Sequence, residues 1–363
     1  MSEQTLDALK NINSQNSLST NSILWTGFSN DRGLLTCGTQ NGFSIFTCFP
    51  FSENINRELG GGIKQVEILN RTNLIALIGG GSNPKYPENK VMIWDDKQKS
   101  CIAELSFRSI VKSVKLCKEY IVVVLEYKVY LYQLPALKLV DGFETAKNDA
   151  GLTDLKVGKN DVVMANLGLQ IGTVRIDFIN KKSHIYIDAH RAKLAYLTLN
   201  SDHTILATAS EKGTMVRLYD TTTGKLIHEF RRGINPAKIY CITFSTDSQF
   251  LAVLSDTGTV HIYSLASHQA IEPQNSSVLT NITSWFSPAK SYLPQYFSST
   301  WSMKQFRIKE ISCKTILTFS EDNKSLLIIS SDGSSFSIVF DLNSDAAEYT
   351  VDTHVDFVKK SIL

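Results

Sequence analysis

Ile205-Leu206-Ala207-Thr208-Ala209-Ser210-Glu211-Lys212-Gly213-Thr214, followed at once by Val216-Arg217-Leu218, decides the fold of this chain. An apolar run, a polar turn opened by glycine and an alternating run read as two antiparallel strands joined by a hairpin. Phe250-Leu251-Ala252-Val253-Leu254-Ser255-Asp256-Thr257-Gly258-Thr259, leading into Val260-His261-Ile262, repeats the arrangement. The alternating triplet also stands at Phe43-Ser44-Ile45, Val91-Met92-Ile93, Val129-Tyr130-Leu131, Val174-Arg175-Ile176 and Phe336-Ser337-Ile338, which makes seven copies. Between their last members the steps are 48, 38, 45, 42, 44 and 76 residues. All but the last sit near the roughly 40–45 residues of a four-stranded propeller blade.

Seven such units bury their faces only against one another and close into a ring, so 363 residues with 43% hydrophobic and 20% charged composition form one all-β domain. The spacing predicts a seven-bladed β-propeller of WD-repeat-like blades over residues 21–348. A tail rich in Asn, Ser and Gln over 1–20 and a second tail over 349–363 flank it. The Trp-Asp ending of such repeats occurs once, as Trp94-Asp95, and Tyr219-Asp220 is a degenerate form. A doubly wound fold fails for want of long helical periods between strands.

The long last step contains an insertion, 266–294. Within it Val278, Leu279, Ile282, Trp285 and Phe286 fall on one face of a helix, with Pro288 to end it. A short amphipathic segment on a surface loop is the expectation.

Lys and Arg number 37 against 35 Asp and Glu, so no bulk field draws the protein to nucleic acid or anionic membrane, and any anion site must be local. The six cysteines lack a Cys-x-x-Cys pair and fit reduced thiols. Neither an apolar leader, nor a membrane span, nor a prenylatable C-terminal cysteine is visible, and a cytoplasmic location with reversible membrane contact is expected. Catalysis finds no support: there is no Gly-x-Ser-x-Gly, no His-Glu-x-x-His, and Gly60-Gly61-Gly62 and Gly79-Gly80-Gly81 lack the Lys-Ser/Thr of a phosphate loop. The seven histidines are dispersed, so no metal and no cofactor are expected.

Phe230-Arg231-Arg232-Gly233 is the more informative patch. Adjacent residues of a strand point to opposite faces, so the two arginines serve two pockets rather than one. Arg231 would face the hairpin carrying Ser210, Lys212, Gly213, Thr214 and Arg217, with His190 from the preceding strand. Arg232 would face the hairpin carrying Ser255, Thr259 and His261. Hydroxyl donors, a guanidinium and a glycine-opened turn suit a phosphorylated polyol. The competing reading is a solvated arginine pair beside side chains that merely satisfy hairpin backbones. Repetition in two consecutive units argues against it.

The Phe-Arg-Arg-Gly tetrad, with Ala209-Ser210-Glu211-Lys212-Gly213-Thr214 before it and Thr259-Val260-His261-Ile262 after it, resembles the PROPPIN family of phosphoinositide-binding propellers. Asn83-Pro84-Lys85-Tyr86-Pro87, Asn89-Lys90-Val91-Met92-Ile93-Trp94-Asp95-Asp96 and Leu293-Pro294-Gln295-Tyr296-Phe297-Ser298-Ser299 are similar to its WIPI branch that holds the human three and four types. The resemblance implies a non-enzymatic effector of phosphatidylinositol 3-phosphate and phosphatidylinositol 3,5-bisphosphate. It would recruit autophagy machinery at phagophore, endosomal or vacuolar and lysosomal membranes. It implies a first headgroup site of His190, Thr208, Ser210, Lys212, Gly213, Thr214, Arg217 and Arg231, and a second of Arg232, Ser255, Thr259 and His261. The 266–294 insertion would enter the bilayer. It also implies a bridge-like lipid-transfer protein as partner of a monomeric ring, with contact at Asp31. In Phe28-Ser29-Asn30-Asp31 the aspartate of the branch's Asn-x-Asp is in place and the asparagine is shifted by one, and an ordinary turn is the competing reading. Two rival functions remain: a scaffold that binds only proteins, and a hydrolase whose nucleophile and base the sequence does not reveal.

Overall fold

Four-residue to eight-residue strands follow one another in sevenfold succession, and each group of four pairs into its own antiparallel sheet. The computed structural model describes residues 22–158, 161–265, 300–308, 313–340 and 349–356. Blade one holds β1 (Ile23–Phe28), β2 (Leu34–Thr39), β3 (Gly42–Thr47) and β4 (Ser52–Glu58). Blade two holds β5 (Ile63–Ile68), β6 (Leu74–Gly79), β7 (Lys90–Asp95) and β8 (Ser100–Ser106). Blade three holds β9 (Val111–Leu116), β10 (Tyr120–Leu125), β11 (Lys128–Gln133) and β12 (Lys138–Glu144), and blade four β13 (Thr153–Val157), β14 (Val162–Leu167), β15 (Thr173–Phe178) and β16 (Ser183–Asp188). Blade five holds β17 (Leu194–Leu199), β18 (Ile205–Ser210), β19 (Met215–Asp220) and β20 (Leu226–Arg231), with β24 (Thr300–Trp301) added in parallel on its outer edge. Blade six holds β21 (Ile239–Phe244), β22 (Phe250–Ser255), β23 (Thr259–Ser264) and β25 (Lys304–Arg307). Blade seven holds β26 (Thr315–Phe319), β27 (Ser325–Ser330), β28 (Ser334–Phe340) and β29 (Tyr349–Asp356).

The seven alternating triplets are the third strands, β3, β7, β11, β15, β19, β23 and β28. The expected seven-bladed propeller is the fold. Burial explains the sequence gradient within each blade. Second strands are covered on both faces by neighbouring blades and are buried almost throughout, as in Tyr120–Leu125. Outer strands meet water, and Lys138–Glu144 is exposed along nearly its whole length. Leu139 and Val140 there remain uncovered without a partner blade.

One boundary differs. Residues 349–356, assigned above to a C-terminal tail, form β29 and pair with β28 from Ser334↔Asp356 to Phe340↔Tyr349, so the ring extends to Asp356. As the outermost strand of its sheet β29 mixes Thr, Val and Asp, which mimics tail composition. The 1–20 tail and the 266–294 insertion lie outside the described residues; the insertion joins the third and fourth strands of blade six.

Blades one and seven are each built from consecutive strands and share none, so the ring closes between them by side-chain packing. A core cluster joins Leu35, Cys37 and Phe46 of blade one to Ile316, Leu317 and Ile328 of blade seven. Among the described residues no helix is long and apolar enough to cross a membrane.

The turn between first and second strands has a recurrent chemistry. Ser29, Ser245 and Ser320 each donate a side-chain hydrogen bond to the aspartate two residues on, Asp31, Asp247 and Asp322, at 2.5, 2.6 and 2.6 Å. The next residue, Arg32, Ser248 or Asn323, takes a positive φ of 57°, 58° or 59°. The aspartate compensates the turn by accepting local donors.

Candidate functional site at the blade five and six junction

Arg231 ends β20 and Arg232 follows it. Register in blade five places Thr208 opposite Arg217, Arg217 opposite Glu229 and Met215 opposite Arg231. Since residues two apart share a face, Thr208, Arg217, Glu229 and Arg231 lie on one side of the sheet. On the other side Ala209, Val216 and Phe230 join Ile239, Ile242 and Phe244 of blade six in a common core. Phe230 is fully buried and stacks on Tyr263 at 4.6 Å between ring centroids.

His190, on the crossing from blade four to blade five, joins the first face. Its Nε2 shares a hydrogen bond of 3.0 Å with Thr208 Oγ1. Arg217 donates through Nη1 to Ala189 O and through Nε to Glu229 Oε2, both at 2.7 Å. Burial, then the neighbouring Arg217 charge, pushes His190 down to about 4. The imidazole is therefore neutral at pH 7.

The β18–β19 turn requires its glycine. Gly213 N donates to Ser210 O at 2.9 Å, its φ is +61°, and a Cβ there would stand 1.8 Å from Ala237 O. Lys212 is exposed at the tip, Thr214 is half-buried, and Ser210 is buried beneath. Arg232, itself buried, donates from Nε to Gly213 O at 2.7 Å and from Nη2 to Asn235 O. Its backbone N–H donates to Thr214 O at 2.9 Å. The turn thus fixes both the first pocket's rim and the second arginine.

His261 is buried on blade six, with Nδ1 3.2 Å from Ser302 Oγ. Burial first and the Arg232 charge second push it down to about 4. Ser255 Oγ shares a hydrogen bond of 2.9 Å with Thr257 Oγ1, and Thr259 sits opposite Arg307 across β23 and β25. The structure brings Arg232 close to His261, while the guanidinium bonds recorded for it go to the blade five turn rather than to Ser255 or Thr259.

Sequence reasoning missed three residues here. Glu229 balances Arg217, Ser302 holds His261, and Asn235 accepts from Arg232. Glu229 had a signal, since it lies two before Arg231 on the same strand face; backbone acceptors such as Asn235 O have none.

Asp31 lies in a first-to-second strand turn, at the opposite end of the blades from the Gly213 hairpin. Its Oδ1 accepts from Ser29 Oγ at 2.5 Å and Gly33 N at 3.2 Å, and Oδ2 stands 3.7 Å from Arg71 Nε. Asn30 donates to Leu116 O at 2.6 Å. Val278, Leu279, Ile282, Trp285 and Phe286 lie outside the described residues. All six cysteines are free, and among the described residues no three His, Cys, Asp or Glu side chains gather for a metal ion.

The PROPPIN family model matches residues 22–355. The chain is 35% identical over 302 residues to autophagy-related protein 18e of Arabidopsis thaliana, covering 82% of this chain and 78% of that protein. It is 33% identical over 294 residues to SVP1-like protein 2 of Pichia angusta, covering 79% and 81% respectively. Among solved structures, Kluyveromyces lactis Hsv2 superposes with a TM-score of 0.74 at 20% identity, over 93% of this chain and all of that one.

Proposed function

The chain belongs to the PROPPIN family, and from that premise we propose that it is a phosphoinositide effector acting in autophagosome formation. Its ligands are phosphatidylinositol 3-phosphate and phosphatidylinositol 3,5-bisphosphate. The observation that carries the proposal is that Arg231 lies on the blade five face of Thr208 and Arg217, where His190 is neutral, while Arg232 turns to the Gly213 hairpin near the neutral His261. The first headgroup meets Arg231 with Lys212, Ser210, Thr214, Thr208, His190 and Arg217 around the Gly213 turn. The second meets Arg232 with Ser255, Thr259 and His261. Cationic and hydroxyl donors around several phosphate and inositol oxygens give charge-assisted recognition.

The 266–294 insertion supplies the third contact by entering the bilayer. Three weak contacts on one surface become intramolecular after the first, so none need be strong. Burying Trp285 and Phe286 contributes roughly 1.5–3 kcal/mol each. Recruitment of autophagy proteins, with a bridge-like lipid-transfer protein at the Asp31 face, completes the proposal; the name of the Arabidopsis thaliana relative supports its link to autophagy.

Liposome flotation tests the lipid reading. Wild-type protein is expected to float with vesicles containing either of the two named lipids, and not with phosphatidylinositol 4-phosphate or lipid lacking phosphoinositide. The Arg231→Thr, Arg232→Thr variant is expected to lose at least nine-tenths of that binding. Retention of binding by the variant overturns the site assignment, and absence of binding to any vesicle favours a scaffold for proteins alone.

A further inference from the structure

A channel runs along the axis of the ring. Its mouth, about 940 Å³, is lined by turns from every blade, Arg32 in the first and Asp322 in the seventh among them. Deeper in, a chamber of about 220 Å³ is bordered by Arg32, Lys115, Asp154, Lys156 and Lys314. The mouth opens on the side of the first-to-second strand turns, away from the Gly213 hairpin and the arginine pair.

Charge is unbalanced there. Glu67, 1% exposed, takes Lys115 Nζ at 3.2 Å on each oxygen. Asp154 is occupied by neutral donors: Leu155 N at 2.9 Å on Oδ1, Leu199 N at 2.8 Å and Thr198 Oγ1 at 3.0 Å on Oδ2. Lys156 Nζ is left 3.9 Å from Asp154 Oδ1, an ion pair beyond hydrogen-bond reach, with its side chain 12% exposed. Arg32 donates to Phe244 O, and Arg32 and Lys115 both repel Lys156. Three cations thus face two carboxylates in a confined space, and Lys314 adds a fourth cation on the wall. Burial pushes the Glu67 carboxyl upward and the Lys156 ammonium downward, so both groups are held against their charged forms until a counter-ion arrives. Asp31, Glu321 and Asp322 stand exposed to solvent at the mouth, where water screens them from the chamber. A buried ammonium without a close counter-ion is costly unless an anion reaches it.

We propose that the axial channel binds a small oxyanion of the phosphate class, seated between Lys156 and Arg32. Orthophosphate and the phosphate group of a small soluble metabolite share that chemistry, and the chamber is wide enough for either to present one tetrahedral group. The site is independent of the headgroup reading, since it uses none of its residues.

The full chain carrying Arg231→Thr and Arg232→Thr is the starting protein, so that the rim pockets are silenced. Orthophosphate and a hexose 6-phosphate are titrated separately at fixed ionic strength against sodium chloride, reading the melting temperature and the phosphorus-31 line width. A ligand that binds only the folded state raises the melting temperature with concentration. A rise and a broadened line with either ligand, weakened at least tenfold in apparent affinity by adding Lys156→Met or Lys156→Gln, support the proposal, and the responding ligand identifies the source. No response to either ligand, a response unchanged by both Lys156 substitutions, or a response of wild-type protein abolished by the arginine substitutions alone overturns it.

Discussion

Two histidines set the pH behaviour of the rim. Burial pushes His190 and His261 down to about 4 in the folded protein, against about 6.5 in an unfolded chain. Between those values the unfolded chain binds more protons, so stability rises with pH across the window and is lost as pH falls from about 6.5 towards 4. The His190→Gln, His261→Gln protein is expected to lose less melting temperature than wild type between pH 7 and pH 5, measured by calorimetry. Equal losses would mean that other groups carry the acid response. A phosphate beside either ring favours its protonated form, so headgroup binding is expected to take up protons and to tighten as pH falls from 7 to 5. Calorimetric titration in two buffers of different ionisation enthalpy reads that uptake, and identical heats would separate the rings from the ligand. Gly213 is the other sensitive residue. Gly213→Ala meets both a positive φ and the Ala237 carbonyl, and a cost of about 1–3 kcal/mol follows from the backbone strain alone. Because Arg232 donates to the Gly213 carbonyl, the same substitution is expected to weaken liposome binding beyond its effect on melting.

At the level of strands, the joint between blades five and six depends on the buried face of β20. Phe230→Ala removes a ring with no solvent exposure, stacked on Tyr263, and is expected to destabilise the protein by about 3–5 kcal/mol in denaturant titration. A loss under about 1 kcal/mol would show that the joint is held elsewhere. Truncation after residue 348 strips β29 and leaves the backbone of Ser334–Phe340 as an open edge, so light scattering is expected to show self-association. The third strands were legible because each carries two apolar residues two positions apart, as in Val216-Arg217-Leu218. β29 was not, since an edge strand needs no apolar face, and Thr and Asp along it carry no period. The arginine pair was legible for the same reason as the third strands: alternation alone divides Arg231 from Arg232. Their partners were less so, because Gly213 O and Asn235 O are backbone atoms that any sequence supplies.

Across the whole ring, the blades meet unevenly. First strands approach one another closely from blade one to blade two and from blade six to blade seven, β1 to β5 and β21 to β26, whereas β26 and β1 come less close. There the union is mainly a matter of Leu35, Cys37, Ile316, Leu317 and their neighbours. Hydrogen exchange is expected to find β1 and β26 less protected than the corresponding strands β9 and β21, with the difference enlarged by Leu35→Ala. Uniform protection would mean that the ring opens only by global unfolding. The period announced how many blades there are; it carried no information on this seam, since every arrangement of closure keeps the same repeat. The seam has an engineering consequence. Because no sheet borrows a strand across it, the blade at which the chain begins is free. A circular permutant that joins Asp356 to Ser22 through a flexible linker and begins anew between β8 and β9 would leave all seven sheets whole. It would also make covalent the joint at which the first strands stand farthest apart.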